Sequence, residues 1–134
     1  MRDGPIVISE PDARVLRGLL AARSAVGRDQ EHLEELRAEL ERAQVLEPEK
    51  ISAKVVTMHK LVRIIDLSSG HRQELVLVSP AEADVSARRI SVLAPLGTAL
   101  LGNREGDEVE WLMPGGIRRL QIEAVLPAGV NGAH

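Results

Sequence analysis

The side chains best suited to chemistry are scattered along this sequence and form no familiar catalytic or metal-binding pattern. The four histidines show no His-x-x-x-His spacing or similar arrangement of metal ligands: they are His32, His59, His71 and His134. No serine stands in a Gly-x-Ser-x-Gly context. The segment Gly102–Asp107 has two glycines but lacks the Lys-Ser/Thr of a phosphate-binding loop, and it predicts a tight turn. The sequence therefore predicts no catalytic residue, no metal site and no cofactor.

Two acidic residues, Asp29 and Glu31, lie in the segment that separates two predicted helices. An aspartate at a helix start commonly accepts a backbone N–H, which predicts a capping role for Asp29. A glutamate in a first helical turn interacts favourably with the positive end of the helix dipole, which accounts for Glu31. We interpret both acids as structural, and we keep the tip Arg28-Asp29-Gln30-Glu31 as a candidate site.

This tip joins the two helices of a predicted antiparallel hairpin, a short coiled coil in residues 1–48. Ser9 and Asp12 predict a capping box at the start of the first helix, and Gly27 predicts its end. The second helix is predicted to continue to Leu46, with a length of about 27 Å. Its apolar residues follow a/d spacing: Leu33, Leu36, Leu40 and Ala43. The run Ile6–Ile8 predicts either a small strand or an extended arm.

Residues 49–134 are predicted to form a second domain, an antiparallel sheet with one short helix, so that the whole chain is α+β. The segment Glu47–Ala53 is the predicted linker. Apolar periodicity interrupted by turn residues predicts five strands: Leu61–Leu67, Gln73–Val78, Arg89–Leu93, Glu108–Leu112 and Ile117–Val125. Pro95 near the start and Gly102 just past the end delimit the short helix.

The composition constrains both the core and the partners of the chain. One Trp, no Phe and no Tyr predict an aliphatic core, with Ile117, Leu120 and Ile122 pointing inward and Trp111 in the core or partly buried. Nucleic-acid binding relies on a basic surface and, for single strands, on aromatic stacking. A net charge of −3 and a single aromatic ring therefore argue against direct nucleic-acid binding.

The absence of cysteine from the sequence fits a reducing compartment. No apolar run approaches the ~18 residues that indicate a membrane-spanning helix. We expect a cytoplasmic protein without membrane association. A monomer is expected, with homodimerisation through the apolar seam of the hairpin as the alternative.

Several motifs, in order along the chain, resemble the C-terminal domain of the Gre transcript-cleavage factors. They are Asp66-Leu67 with Gly70, Glu82-Ala83-Asp84, Ile90–Gly97, Ala99–Gly102, Gly106–Val109 and Pro114-Gly115-Gly116. The end of the second helix, Leu36–Val45, is also similar to the end of the Gre coiled coil. The hairpin is too short for a Gre factor, and together with Val55–Met58 and Leu93-Ala94-Pro95 it resembles the Rnk family, named for regulation of nucleoside diphosphate kinase.

The resemblance implies an FKBP-like second domain that docks on bacterial RNA polymerase near the secondary channel and competes there with Gre factors. It places the polymerase-binding loop at Leu93, Ala94, Pro95 and Leu96. A purely structural interpretation instead makes Leu93 and Leu96 core residues, and the two interpretations are compatible. Gre factors carry a polar residue where this chain has Leu93, so that polar contact is not transferred.

Gre factors also use acidic residues at the hairpin tip to hold a catalytic metal ion in the polymerase. The tip Arg28–Glu31 lacks the Gly-Asp-Leu-x-Glu-Asn pattern, and the predicted helix is short, so we expect no stimulation of transcript cleavage. Prolyl isomerase activity is also not expected, because such pockets are lined with aromatic rings. The alternatives are a Gre-type cleavage-stimulating factor and a regulator of another protein in nucleotide metabolism.

Overall fold

The computed structural model describes residues 6–22, 28–113 and 115–127, with side chains except those of residues 28–32 and 111–113. The helices and strands follow one another in this order: β1 Val7–Ser9, α1 Glu10–Ala21, α2 Arg28–Arg42, β2 Gln44–Leu46, β3 Leu61–Asp66, β4 Arg72–Val78, β5 Arg89–Ser91, α3 Pro95–Leu100, β6 Glu108–Met113 and β7 Gly116–Leu126. The predicted α+β class is confirmed. The predicted end of the first helix at Gly27 lies outside the described residues.

The N-terminal region contains a small parallel sheet that the sequence only partly indicated. Strand β1 pairs with β2 in parallel, so the strand interpretation of Ile6–Ile8 is confirmed. The prediction that the second helix reaches Leu46 is wrong, because α2 ends at Arg42. The Gln44 N–H donates to Ile6 O at 2.9 Å, and this pairing with the N-terminal arm replaces the last helical turn.

The two helices bury their apolar sides together, as the a/d spacing predicts. The buried residues are Leu16 and Leu20 of α1 and Leu33, Leu36 and Leu40 of α2. An additional polar contact joins the helices, since Arg37 Nη2 donates to Leu20 O at 3.1 Å. That carbonyl lies in the last turn of α1, where backbone oxygens lack helical partners and favour a cation.

The main sheet has five strands in the order β5-β4-β3-β7-β6. Its pairs are antiparallel apart from β4 and β5, which are parallel. The prediction of a wholly antiparallel sheet is therefore wrong at this edge. The chain leaves β4 through two 3-10 turns, Pro80–Glu82 and Val85–Ala87. This loop returns beside β4 and turns again, so that β5 runs in the same direction as β4.

The longest strand, β7, has a register shift in its pairing with β3, and this shift changes which of its residues face the core. Leu120 and Ile122 are buried as predicted, and Val125 is buried as well. The register with β3 shifts between Arg63 and Ile64, so Arg63 pairs with Ala124 and Ile64 with Ile122. Such a bulge moves the following residues to the other face. The prediction that Ile117 points inward is wrong, because its side chain is 63% exposed.

One hydrophobic core contains residues of the hairpin and of the main sheet. Leu16 and Leu36 belong to the same cluster as Val62, Leu77 and Ile122. The division into domains at residues 48 and 49 stays a prediction. None of the helices in the described ranges is long and apolar enough to cross a membrane.

Candidate functional site

The loop Leu93–Leu96 follows β5 and includes the first two residues of α3, and it exposes Pro95 between two buried leucines. The Leu93 and Leu96 side chains are 8% and 9% exposed, whereas Ala94 is half-buried and Pro95 is exposed. The structure therefore places the two leucines in the core and leaves Ala94 and Pro95 accessible to a partner.

Short hydrogen bonds fix the backbone of this loop. Ser91 accepts two backbone N–H groups from beyond Val92: Leu93 N–H donates to its Oγ at 3.0 Å, and Ala94 N–H donates to its carbonyl oxygen at 3.0 Å. On the far side, Thr98 Oγ1 donates to Pro95 O at 3.0 Å. Ala94 is the N-cap residue of α3 and contributes no side-chain capping bond.

Two glycines set the position of α3, and with it the position of the loop. A Cβ added to Gly97 would overlap the backbone oxygen of Ser91 and would lie 3.1 Å from Val92 Cα. Gly102, which follows α3, has φ +81°, and an added Cβ would lie 2.5 Å from Ile6 Cβ. The backbone at Gly97 within α3 and at Gly102 after it thus packs too closely for a side chain, the first against the end of β5 and the second against the N-terminal arm.

Asp12 joins the hairpin to the second half of the chain. Its backbone N–H donates to Ser9 Oγ at 3.2 Å, which confirms the Ser9 half of the predicted capping box. Its carboxylate does not complete the box, because Oδ2 accepts the Met58 N–H at 2.9 Å. Asp12 is 8% exposed. Burial lowers the pKa of nearby Lys60, and the negative charge of Asp12 opposes that shift.

A second buried carboxylate, Asp66, organises the turn between β3 and β4. Its Oδ1 accepts the N–H groups of Ser68 at 2.8 Å and Ser69 at 3.2 Å, and Arg118 Nη1 donates to Oδ2 at 2.7 Å. The Ser68 hydrogen bond, helped by Ser69 and by the Arg118 guanidinium, holds the pKa of Asp66 below its ordinary value despite burial. Asp66 is thus a structural anchor for the turn between β3 and β4.

The sheet face turned away from the core is neutralised by cross-strand ion pairs. Three arginines of this face each contact a glutamate: Arg63–Glu74 at 2.8 Å, Arg72–Glu123 at 2.8 Å and Arg119–Glu110 at 3.8 Å. These arginine charges are compensated within the protein, so the face lacks the excess positive charge that phosphate binding requires.

The hairpin tip is described by its backbone alone. Helix α2 begins at Arg28, so Asp29 lies inside the first turn and not before it. The prediction that Asp29 is the N-cap residue of this helix is therefore wrong. The side chains of Arg28, Asp29, Gln30 and Glu31 lie outside the described residues. Within the described part of the chain, no group of three or more potential ligands is placed to hold a metal ion.

The two histidines that the structure describes, His59 and His71, do not form a shared metal site. His59 is exposed, with φ 72°, and its Nε2 lies 3.4 Å from Glu82 Oε1. The hydrogen bond with His59 lowers the pKa of Glu82. His71 is exposed in its turn. His32, His134 and the Trp111 side chain lie outside the described residues.

Two family models match the chain. Residues 51–127 match the model described as transcription elongation factor, GreA/GreB, C-term. Residues 5–46 match the model described as Rnk N-terminus. The matches are separated by residues 47–50, within the segment predicted as the linker, and the first of them covers more than half of the sequence.

The chain is also similar in sequence and structure to individual proteins of these families. The chain is 40% identical over 112 residues to the regulator of nucleoside diphosphate kinase of Escherichia coli (strain K12), covering 84% of this chain and 81% of that protein. It is 39% identical over 89 residues to transcription elongation factor GreA of Thermodesulfovibrio yellowstonii, covering 66% of this chain and 56% of GreA. A solved GreA/GreB elongation factor from Nitrosomonas europaea superposes with a TM-score of 0.78 at 44% identity, covering 93% of this chain and 100% of that chain. The chain therefore belongs to the GreA/GreB family of transcription elongation factors, with an N-terminal region of the Rnk type.

Proposed function

We propose that this chain is a non-enzymatic transcription regulator that binds RNA polymerase near its secondary channel and competes there with Gre factors. The loop Leu93–Leu96 is the proposed contact. The observation that carries the proposal is the way this loop is built. Pro95 is exposed between two buried leucines, and Ser91 holds the backbone before it by hydrogen bonds. A loop fixed in advance loses little conformational freedom on binding.

The length of the hairpin supports a regulator without cleavage activity. Helix α2 has 15 residues and is about 22 Å long. In this proposal the tip Arg28–Glu31 obstructs a channel mouth without delivering acids to an active site. RNA cleavage that depended on Asp29 and Glu31 would favour the Gre-type alternative.

The surface charges support a protein partner over a nucleic acid. The arginines of the outer sheet face are paired with glutamates, and the net charge of the chain is −3. Direct sequence-specific binding to DNA or RNA is therefore not part of the proposal. A cytoplasmic monomer is the proposed working form.

Substitutions of Ala94 test this surface without disturbing the fold. Ser and Asp both prefer the N-cap position, so Ala94→Ser and Ala94→Asp should each stabilise the chain by about 0.5–1 kcal/mol. Only aspartate adds a charge to the contact loop. We expect Ala94→Ser to bind core RNA polymerase as the unmodified chain does and Ala94→Asp to bind at least about tenfold more weakly, measured by biolayer interferometry. Equal affinity of the two variants would contradict the proposed surface.

The second candidate is a regulator of another protein, and it is favoured by the name of the E. coli relative, regulator of nucleoside diphosphate kinase. A pull-down from the native host separates the two. Recovery of polymerase subunits supports the first proposal, whereas recovery of nucleoside diphosphate kinase without polymerase supports the second.

A further inference from the structure

The loop between β4 and β5 exposes an apolar residue at its outermost point. Every side chain of residues 81–89 is exposed. Val85 is 78% exposed, the highest value among the large apolar side chains that the structure describes. An exposed apolar side chain is common by itself, so its significance depends on how the loop holds it and on what lies beside it.

Asp84 fixes the turn that carries Val85. The backbones of Asp84 and Arg89 exchange two N–H···O bonds of 2.9 Å. The Asp84 carboxylate accepts the Ser86 hydroxyl at 2.7 Å and the Ser86 N–H at 3.1 Å. Arg88 closes the turn in the left-handed region, with φ 62°. Val85 is therefore presented on an ordered turn that has little conformational freedom to lose.

This turn is continuous with the proposed polymerase-binding loop. Arg89 begins β5, Ser91 ends it, and the loop Leu93–Leu96 starts after Val92. Strand β5 is the edge strand of the sheet, and its three residues span about 10 Å. A typical protein interface covers about 800 Å² on each partner, so one partner can reach Val85 and Pro95 together.

The charges beside Val85 indicate the chemistry of the partner. Arg88 and Arg89 are both exposed, and Arg88 Nη1 donates to the neutral Gln73 Oε1 at 3.4 Å. Glu82 and Asp84 of the same turn carry negative charges and accept hydrogen bonds from Ser79 and Ser86, whereas the described partner of Arg88 is neutral. The turn thus offers a partner an apolar tip with the Arg88 guanidinium beside it.

We propose that Val85 and the Arg88 guanidinium form a second contact point with RNA polymerase, inserting into an apolar recess flanked by carboxylates. This inference rests on the proposed function and extends its surface along the edge strand β5. It also adds an electrostatic contribution, because cations at an interface rim raise the association rate and its sensitivity to salt.

The test compares Val85→Asp with Ile117→Asp in polymerase binding. Ile117 is also apolar and 63% exposed, but it lies on β7, three strands from β5 and beside the opposite edge strand β6. We expect Val85→Asp to weaken binding at least about tenfold and Ile117→Asp to leave it unchanged, with equal urea midpoints for both variants. Arg88→Gln should lower the association rate and its salt dependence.

The outcomes separate this inference from the proposed function. If Ala94→Asp weakens binding and Val85→Asp does not, the second contact point is overturned and the loop Leu93–Leu96 remains the docking site. If neither variant weakens binding, the proposed docking surface is overturned with it. An equal loss in Val85→Asp and Ile117→Asp would also overturn the second contact point, since it would show no preference for the β5 edge.

Discussion

Replacing Gly97 with alanine is expected to lower the free energy of unfolding by about 2–3 kcal/mol. Gly97 lies inside α3, where alanine would ordinarily be favoured over glycine by about 0.5–1 kcal/mol. Here the added Cβ would overlap Ser91 O and press on Val92 Cα. Both are backbone atoms of the segment that leads into the contact loop, so α3 must move away from β5 to make room.

Gly18→Ala is the matched control, because Gly18 is also helical and its added Cβ would meet nothing within 4 Å. That substitution should raise the free energy of unfolding by about 0.5–1 kcal/mol. Urea denaturation followed by circular dichroism measures both variants. If Gly97→Ala were stabilising like Gly18→Ala, α3 would not be held against β5 as closely as the structure places it.

Replacing Asp12 with alanine should have an effect of comparable size, a loss of about 1–4 kcal/mol. The buried Met58 N–H would lose its acceptor at 2.9 Å, and an unsatisfied buried donor costs about 1–3 kcal/mol. Helix α1 would also lose a first-turn carboxylate, which contributes about 0.3–1 kcal/mol. Asp12→Asn keeps an acceptor oxygen and should lose less than Asp12→Ala.

Glu10→Ala supplies the control for position in the helix, because Glu10 is also a first-turn acid of α1. Its contact is an exposed pair with Arg14 at 3.2 Å, so its removal should change the free energy of unfolding by less than about 1 kcal/mol. Amide hydrogen exchange at Met58 reports the link directly and should accelerate in Asp12→Ala alone. Equal losses in the two alanine variants would show that Asp12 acts merely as a helix-start acid.

The sequence predicts those parts of the fold that neighbouring residues determine. Ser9 caps α1 as its position before the helix indicates. Pro95 and Gly102 delimit α3 because proline fits the first helical turn and glycine suits the left-handed residue after the end. Leu93 and Leu96 are buried, as their apolar side chains indicate, and Pro95 between them is exposed.

The missed features depend on partners that are distant along the chain. The Asp12–Met58 bond joins residues 46 apart, and the Asp66–Arg118 pair joins residues 52 apart. The a/d spacing of α2 continues to Ala43, yet the chain leaves the helix at Arg42 because Gln44 pairs with the N-terminal arm. Ile117 is apolar like a core residue, but it lies in the part of β7, residues 116–119, where every residue is exposed. Tertiary contacts, and not local preference, decide each of these positions.

The direct test of the central proposal is competition for RNA polymerase. A fluorescently labelled Gre factor is bound to core polymerase, and this chain is titrated into the complex while fluorescence anisotropy is recorded. The proposal predicts that the chain displaces the labelled factor completely, that Ala94→Ser displaces it equally well, and that Ala94→Asp requires at least about tenfold higher concentration. Persistence of the labelled Gre factor on polymerase at saturating concentrations of this chain would contradict the proposal.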